Sequence, residues 1–157
     1  MFDCFEPVID KKSKVLILGS FPSVKSREIN FYYGNKQNRF WKVLEEYFDE
    51  KVPENTDGKR AFLLAHHIAL WDIVGSSQII GSSDNELIKK INSVNDIPKL
   101  LQDFPTIQTV ICNGKASYNL TKKYFPNIAT AYLPSTSPAN VSFKKETWFE
   151  MLKKLGL

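Results

Sequence analysis

The chain has 157 residues, of which 43% are hydrophobic, 24% charged and 13% aromatic, and its formal net charge is +4. That length predicts one domain spanning residues 1–157 with a core large enough to fold unaided, and so many large apolar residues exclude a disordered chain. No apolar run approaches the roughly 18 residues of a membrane span, the opening Met1-Phe2-Asp3-Cys4 lacks a signal peptide's basic and apolar regions, and the two cysteines, Cys4 and Cys112, exclude a disulfide framework, a four-cysteine zinc site and a Cys-ligated iron–sulfur cluster. The expectation is a cytosolic protein with reduced thiols.

Lys14 to Ser20 reads K-V-L-I-L-G-S, an apolar run ended by glycine, which predicts a strand buried on both faces and feeding a loop. Phe40, Val43, Leu44, Tyr47 and Phe48 recur at the spacing of an amphipathic helix, with Asn38 as its N-cap. Residues 59–67 predict a short helix, Ile68 to Val74 an extended stretch, and the Gly/Ser-rich Gly75 to Ser83 a loop. Asp84 to Ile91 and Asp96 to Phe104 read as helices. Thr109 to Cys112 predicts a second strand, turned by Asn113-Gly114-Lys115 into a helix through about Phe125, and Ile128 to Leu133 predicts the last strand. Trp148, Met151, Leu152 and Leu155 form the apolar stripe of a C-terminal helix. Strands alternating with helices predict an α/β protein: a three-layer α/β/α domain around a central, mainly parallel four-stranded sheet. Ligand sites in such sheets gather at the carboxyl ends of the strands, which selects the loop from Ser20 onward, Asn113-Gly114-Lys115, and Pro134 to Pro138.

The charge is unevenly spread. Residues 11–42 hold eight basic residues against Glu28, and residues 109–157 hold seven lysines against Glu146 and Glu150, while the stretch between is net acidic. Two basic segments flanking an acidic middle suit a polyanion on one face, although lysines also solvate outer helix faces.

Several chemistries are excluded by spacing. The first loop has neither G-x-x-x-x-G-K-[ST] nor G-x-G-x-x-G, so no nucleotide cofactor is indicated; no G-x-S-x-G elbow occurs for a serine hydrolase. Adjacent His66 and His67 diverge on a helix and have no third ligand at metal spacing. Tyr32, Tyr33, Phe40 and Trp41, interleaved with Lys36 and Arg39, suit either stacking on an exposed base or packing beneath the loop. Asn38 is either a cap or an amide that positions a water.

Gly19-Ser20-Phe21-Pro22-Ser23, Tyr33 and Asn38-Arg39-Phe40-Trp41, together with Ile111-Cys112-Asn113-Gly114-Lys115 and Leu133-Pro134-Ser135-Thr136-Ser137-Pro138-Ala139-Asn140, resemble motifs of the uracil-DNA glycosylase superfamily. The combination is most similar to its hypoxanthine-DNA (deoxyinosine) glycosylase subgroup. Where the mismatch-specific branch carries its catalytic Asn and the classical branch an Asp, this chain has Phe21, which cannot orient water. Leu133 stands where relatives carry His or Asn.

The resemblance implies a monofunctional DNA glycosylase that flips and hydrolytically excises a deaminated base, chiefly hypoxanthine, with uracil or mixed specificity and a non-catalytic nucleic-acid-binding module as alternatives. It places the catalytic amide at Asn38 and base binding at Ser20, Phe21, Tyr33 and Asn113. DNA contacts are expected at Ser23, Lys25, Lys36, Arg39, Lys115, Ser135, Thr136, Ser137, Asn140 and Lys144. No cofactor or metal is implied. The expected partner is DNA containing deaminated bases, met by a monomer in the cytoplasm at the nucleoid.

Overall fold

The computed structural model describes residues 1–157. Its centre is a parallel sheet of four strands, β2 (Val15–Gly19), β3 (Ile68–Asp72), β6 (Thr109–Asn113) and β7 (Thr130–Leu133), in the order β3-β2-β6-β7. Strand β2 is buried along its whole length, which is why its sequence runs apolar without alternation. Its side chains divide between two cores. Val15 and Ile17 pack with Phe40, Val43, Leu44, Phe62, Leu63, Trp148 and Leu152, from helices α2 (Phe40–Phe48), α3 (Thr56–Ala65) and α7 (Lys145–Lys154). Leu16 and Leu18 pack on the other face with Leu87, Ile97, Leu100 and Leu120, from α4 (Asp84–Lys89), α5 (Ile97–Asp103) and α6 (Lys115–Tyr124). Helices on both faces of a parallel sheet are the expected α/β/α arrangement.

Three local features depart from the sequence reading. Residues 75–77, expected as loop, belong to β4 (Val74–Ser77), which pairs antiparallel with β1 (Phe2–Asp3) and β5 (Ile91–Val94) in a small second sheet. The segment has no apolar alternation; its partners supply the strand, and Ser76 and Ser93 share a hydroxyl hydrogen bond of 2.7 Å. The first loop contains a short helix, α1 (Val24–Ile29), capped by Ser23, whose hydroxyl accepts the Ser26 N–H. Helix α3 starts at Thr56 because the Asn55 side chain accepts the Gly58 N–H.

The register places the site. Gly19 pairs with Asp72 across β2 and β3, and Asn113 with Leu133 across β6 and β7, so all four strands end along one edge of the sheet. Polar groups at those ends face the loops that follow.

Candidate active site

At that edge lies a cavity of about 770 Å³, lined by the loops after β2, β6 and β7 and by the carboxyl end of β3. The three loops selected from sequence therefore share one site. A fourth wall, residues 82–85 from the end of the β4–α4 connection and the first turn of α4, is an addition of the tertiary structure. The Ser82 hydroxyl accepts the Val24 N–H at 2.9 Å, and the Arg27 guanidinium donates to the carbonyls of Ile79 and Ile80, so this wall is tied to the first loop.

The first loop begins rigidly. The carbonyls of Gly19 and Ser20 accept from Ile73 and Val74 N–H at 2.9 and 3.0 Å. Ser20 and Phe21 line the cavity, and their N–H groups make no hydrogen bond within the protein. Phe21 itself packs partly against the second core. Tyr32 and Phe40 are buried and Trp41 donates to the Tyr32 carbonyl, so these aromatics pack beneath the loop. Tyr33, at φ 51°, stacks on Phe40 with ring centroids 4.1 Å apart and lines the cavity. Burial, followed by the nearby Asp72 carboxyl, holds its phenol well above the usual tyrosine range.

Asn38 bonds the start of α2 without being its N-cap. The formal N-cap of α2 is Arg39, which makes no side-chain cap; instead Asn38 Oδ1 accepts the Phe40 N–H at 2.9 Å. That bond orients the amide at the cavity wall, and an amide oxygen has a second lone pair.

The loop after β7 is braced from three directions. Asn113 Nδ2 donates to Thr136 Oγ1 at 3.0 Å, and Asn113 Oδ1 accepts the Thr136 N–H at 3.1 Å. The Trp148 indole donates to the Pro134 carbonyl at 2.8 Å, and the Arg39 guanidinium donates to the carbonyls of Ser137 and Asn140. One expectation is corrected here. Thr136, expected on DNA, is 0% exposed and is an anchor of the loop. Arg39, also expected on DNA, lies outside the cavity, half-buried, and one end of its guanidinium braces the same loop while the group stacks over Phe143, a role in addition to the expected one. Asn113 keeps one amide hydrogen and one lone pair beyond its bonds to Thr136. Gly114, at φ 95°, admits the close approach of the loop, since a Cβ there would lie 2.9 Å from Ser135 Cβ.

Of the other expected DNA contacts, Ser23, Lys25, Lys115, Ser135 and Ser137 line the cavity, with both lysines exposed. The Ser23 hydroxyl is engaged in capping α1. Asn140 lies outside the cavity, its amide donating to the Ser135 carbonyl. Lys36 and Lys144 are exposed beyond the cavity.

Sequence reasoning passed over Asp72. Its carboxyl lines the cavity although the residue is 4% exposed, and Oδ2 is buried without a hydrogen-bond partner. Burial pushes its pKa up to about 7. The signal was present: an acidic residue in the extended stretch Ile68 to Val74, at the carboxyl end of a parallel strand.

A parallel sheet with braced loops around a polar cavity, beside exposed lysines, is a scaffold for holding a compact polar ligand attached to a polyanion. Residues 6–155 match the uracil DNA glycosylase superfamily, and the chain belongs to that family. A hypoxanthine DNA glycosylase from Methanosarcina acetivorans is 31% identical over 147 residues, covering 90% of this chain and 89% of that protein. One of the same name from Methanosarcina barkeri is 31% identical over 159 residues, covering 96% and 97%. A solution NMR structure from Methanosarcina acetivorans, provisionally assigned as a uracil DNA glycosylase, superposes with a TM-score of 0.79 at 28% identity and covers 98% of this chain and 97% of that one.

Proposed function

We propose that the protein is a monofunctional DNA glycosylase that takes a deaminated base, chiefly hypoxanthine, out of DNA and hydrolyses its bond to deoxyribose. The names of the two curated relatives support the choice of base. The observation that carries the chemistry is the Asn38 amide, held by the Phe40 N–H on a residue that lines the cavity together with Ser20 and Phe21, whose N–H groups are free.

A base within the stack is out of reach, so the nucleotide swings out and the base enters the cavity. As the bond breaks, the sugar becomes cation-like and the base gathers negative charge; donors fixed in advance around the base lower that barrier. Asn38 Oδ1, using its second lone pair, holds the attacking water, since Phe21 presents no group that orients one. Tyr33, backed by Phe40, covers a face of the base. The N–H groups of Ser20 and Phe21 meet its acceptors, and the remaining hydrogen and lone pair of Asn113 read its edge. Ser135 and Ser137 meet phosphate, and Lys25, Lys36, Lys115 and Lys144 add affinity independent of sequence. The protein works on DNA as a monomer, and its substrate places it at the nucleoid during repair.

The test is single-turnover cleavage of labelled oligonucleotides carrying hypoxanthine, uracil, xanthine or a thymine mismatch, with alkali added to reveal abasic sites. Breaks chiefly at hypoxanthine are expected. Breaks chiefly at uracil would overturn the choice of base, and salt-sensitive binding without breaks would identify a non-catalytic module.

A further inference from the structure

The Asp72 carboxyl has no part in that reading, yet it is built into the cavity. Its backbone is fixed by the parallel register with Gly19 and by the Asn95 side chain donating to its carbonyl at 2.7 Å, and the next residue, Ile73, is held in turn by the Asn95 N–H donating to its carbonyl at 2.8 Å. The side chain occupies space that exists only because residue 19 has no Cβ; Asp72 lines the cavity, and its Oδ2, like the neighbouring Tyr33 hydroxyl, is buried without a hydrogen-bond partner. A buried polar atom left without a partner is costly, and such atoms concentrate where a ligand completes them.

Three titratable groups act on Asp72 or are acted on by it: the Tyr33 and Tyr32 hydroxyls and the Cys4 thiol. Burial raises the pKa of each, so all are neutral at neutral pH. The charged groups on the cavity walls, Lys25, Asp84 and Lys115, are exposed to solvent. Burial is the cause that raises Asp72, and it favours the carboxylic acid, which has an O–H to donate.

We propose that Asp72, as the neutral acid, donates a hydrogen bond to an oxo or ring-nitrogen acceptor of the extruded base and strengthens that bond as the base departs with negative charge. The inference rests on the glycosylase reading and adds a catalytic residue to it. The proton stays on Asp72: the bond from base to sugar breaks, its electron pair goes to the base, and the acid stabilises that pair without transferring to it. The ionised form would repel the same charge, so the enzyme loses rate as Asp72 ionises.

The experiment follows single-turnover excision of hypoxanthine from pH 5.5 to 9 by the wild type, Asp72→Asn and Asp72→Leu, with binding to the same oligonucleotide and thermal melting measured in parallel. The wild-type rate should fall as pH rises through neutrality. Asp72→Asn keeps the shape and an N–H donor but cannot ionise; its rate should lie within about tenfold of the wild-type maximum and lack that fall. Asp72→Leu keeps the branching without a donor and should lose about 100-fold at every pH while still binding DNA, the scale of one hydrogen bond to a charged group. A fall with pH in Asp72→Asn matching that of the wild type, or a wild-type rate in Asp72→Leu, would overturn the inference while leaving the glycosylase reading in place. Wild type that excises nothing at any pH would overturn the glycosylase reading and this inference with it. Should Asp72→Leu fail to fold, the Asn and wild-type profiles alone decide.

Discussion

Asp72 Oδ1 lies 2.5 Å from the point where a Cβ on Gly19 would stand, and Tyr33 Oη lies 3.3 Å from the same point. The first motif's glycine is therefore the space in which an acid from β3 and a phenol from the first loop converge at the cavity. A side chain at position 19 would displace one of them.

The bond from Asn38 to the Phe40 N–H and its proposed hold on the attacking water can be separated by substitution. Asn38→Ala removes both and should lower stability by about 0.5–2 kcal/mol while abolishing excision. Asn38→Ser keeps an oxygen able to accept the Phe40 N–H and should recover most of the melting temperature without recovering turnover. Melting curves beside single-turnover rates check this; a Ser variant with near-normal turnover refutes the assignment of the amide.

Thr136 tests the loop's dependence on its anchor. Thr136→Val deletes the acceptor of Asn113 Nδ2 at a position with no access to DNA. Leaving that buried amide hydrogen unsatisfied should cost about 1–3 kcal/mol. Excision should fall through looser placement of Ser135 and Ser137, visible as faster hydrogen exchange from residue 134 to residue 140. A stability loss with unchanged exchange in that loop contradicts the bracing role.

Asp72 also governs the pH dependence of stability. Its folded pKa of about 7 exceeds the ordinary 3.8, so the folded state binds the proton more tightly than the unfolded chain. Its contribution is fully present below about pH 4 and is lost as pH rises through about 7. Asp72→Asn removes the dependence. The stability of the Asn variant relative to wild type should therefore rise between pH 5 and pH 8, by roughly 2.5 kcal/mol. Urea unfolding of both proteins across that range measures the difference, in which other titrating groups cancel; a constant difference would contradict the burial of an ionisable carboxyl.

Phosphate contacts have a salt signature. Lys115 stands exposed at the cavity, at the start of α6. Lys115→Ala should weaken binding to hypoxanthine and control oligonucleotides about equally, and should reduce the slope of log K against log salt by about 0.9. A loss confined to the hypoxanthine oligonucleotide would assign Lys115 to the base instead.

The parallel sheet was legible because β2 and the β6 run Thr109 to Cys112 are buried on both faces, and burial of that kind writes itself as uninterrupted apolar residues. Helix α2 was legible from its 3.6-residue stripe. Strand β4 was not, since Val74-Gly75-Ser76-Ser77 acquires its conformation from pairing with residues at the N-terminus and at 91–94. The role of Thr136 was misread, and the bracing by Arg39 went unseen, for a related reason: a basic or hydroxylated side chain in a ligand loop has the same one-dimensional signature whether it faces the ligand or holds the loop.

By itself the sequence determined the α/β class, the strand ends that form the site and the glycosylase motifs, because buried runs, helical periodicity and loop residues are local patterns. Only the tertiary structure decided which polar groups remain free at the cavity. Asn113 and Thr136 bond to each other across 23 positions, Arg39 turns to carbonyls about 100 residues away, and Asp72 is left unpaired beside Gly19, 53 positions earlier. Whether a polar atom is satisfied depends on neighbours that chain order does not specify, and that accounting separates the residues that hold the site from those open to a ligand.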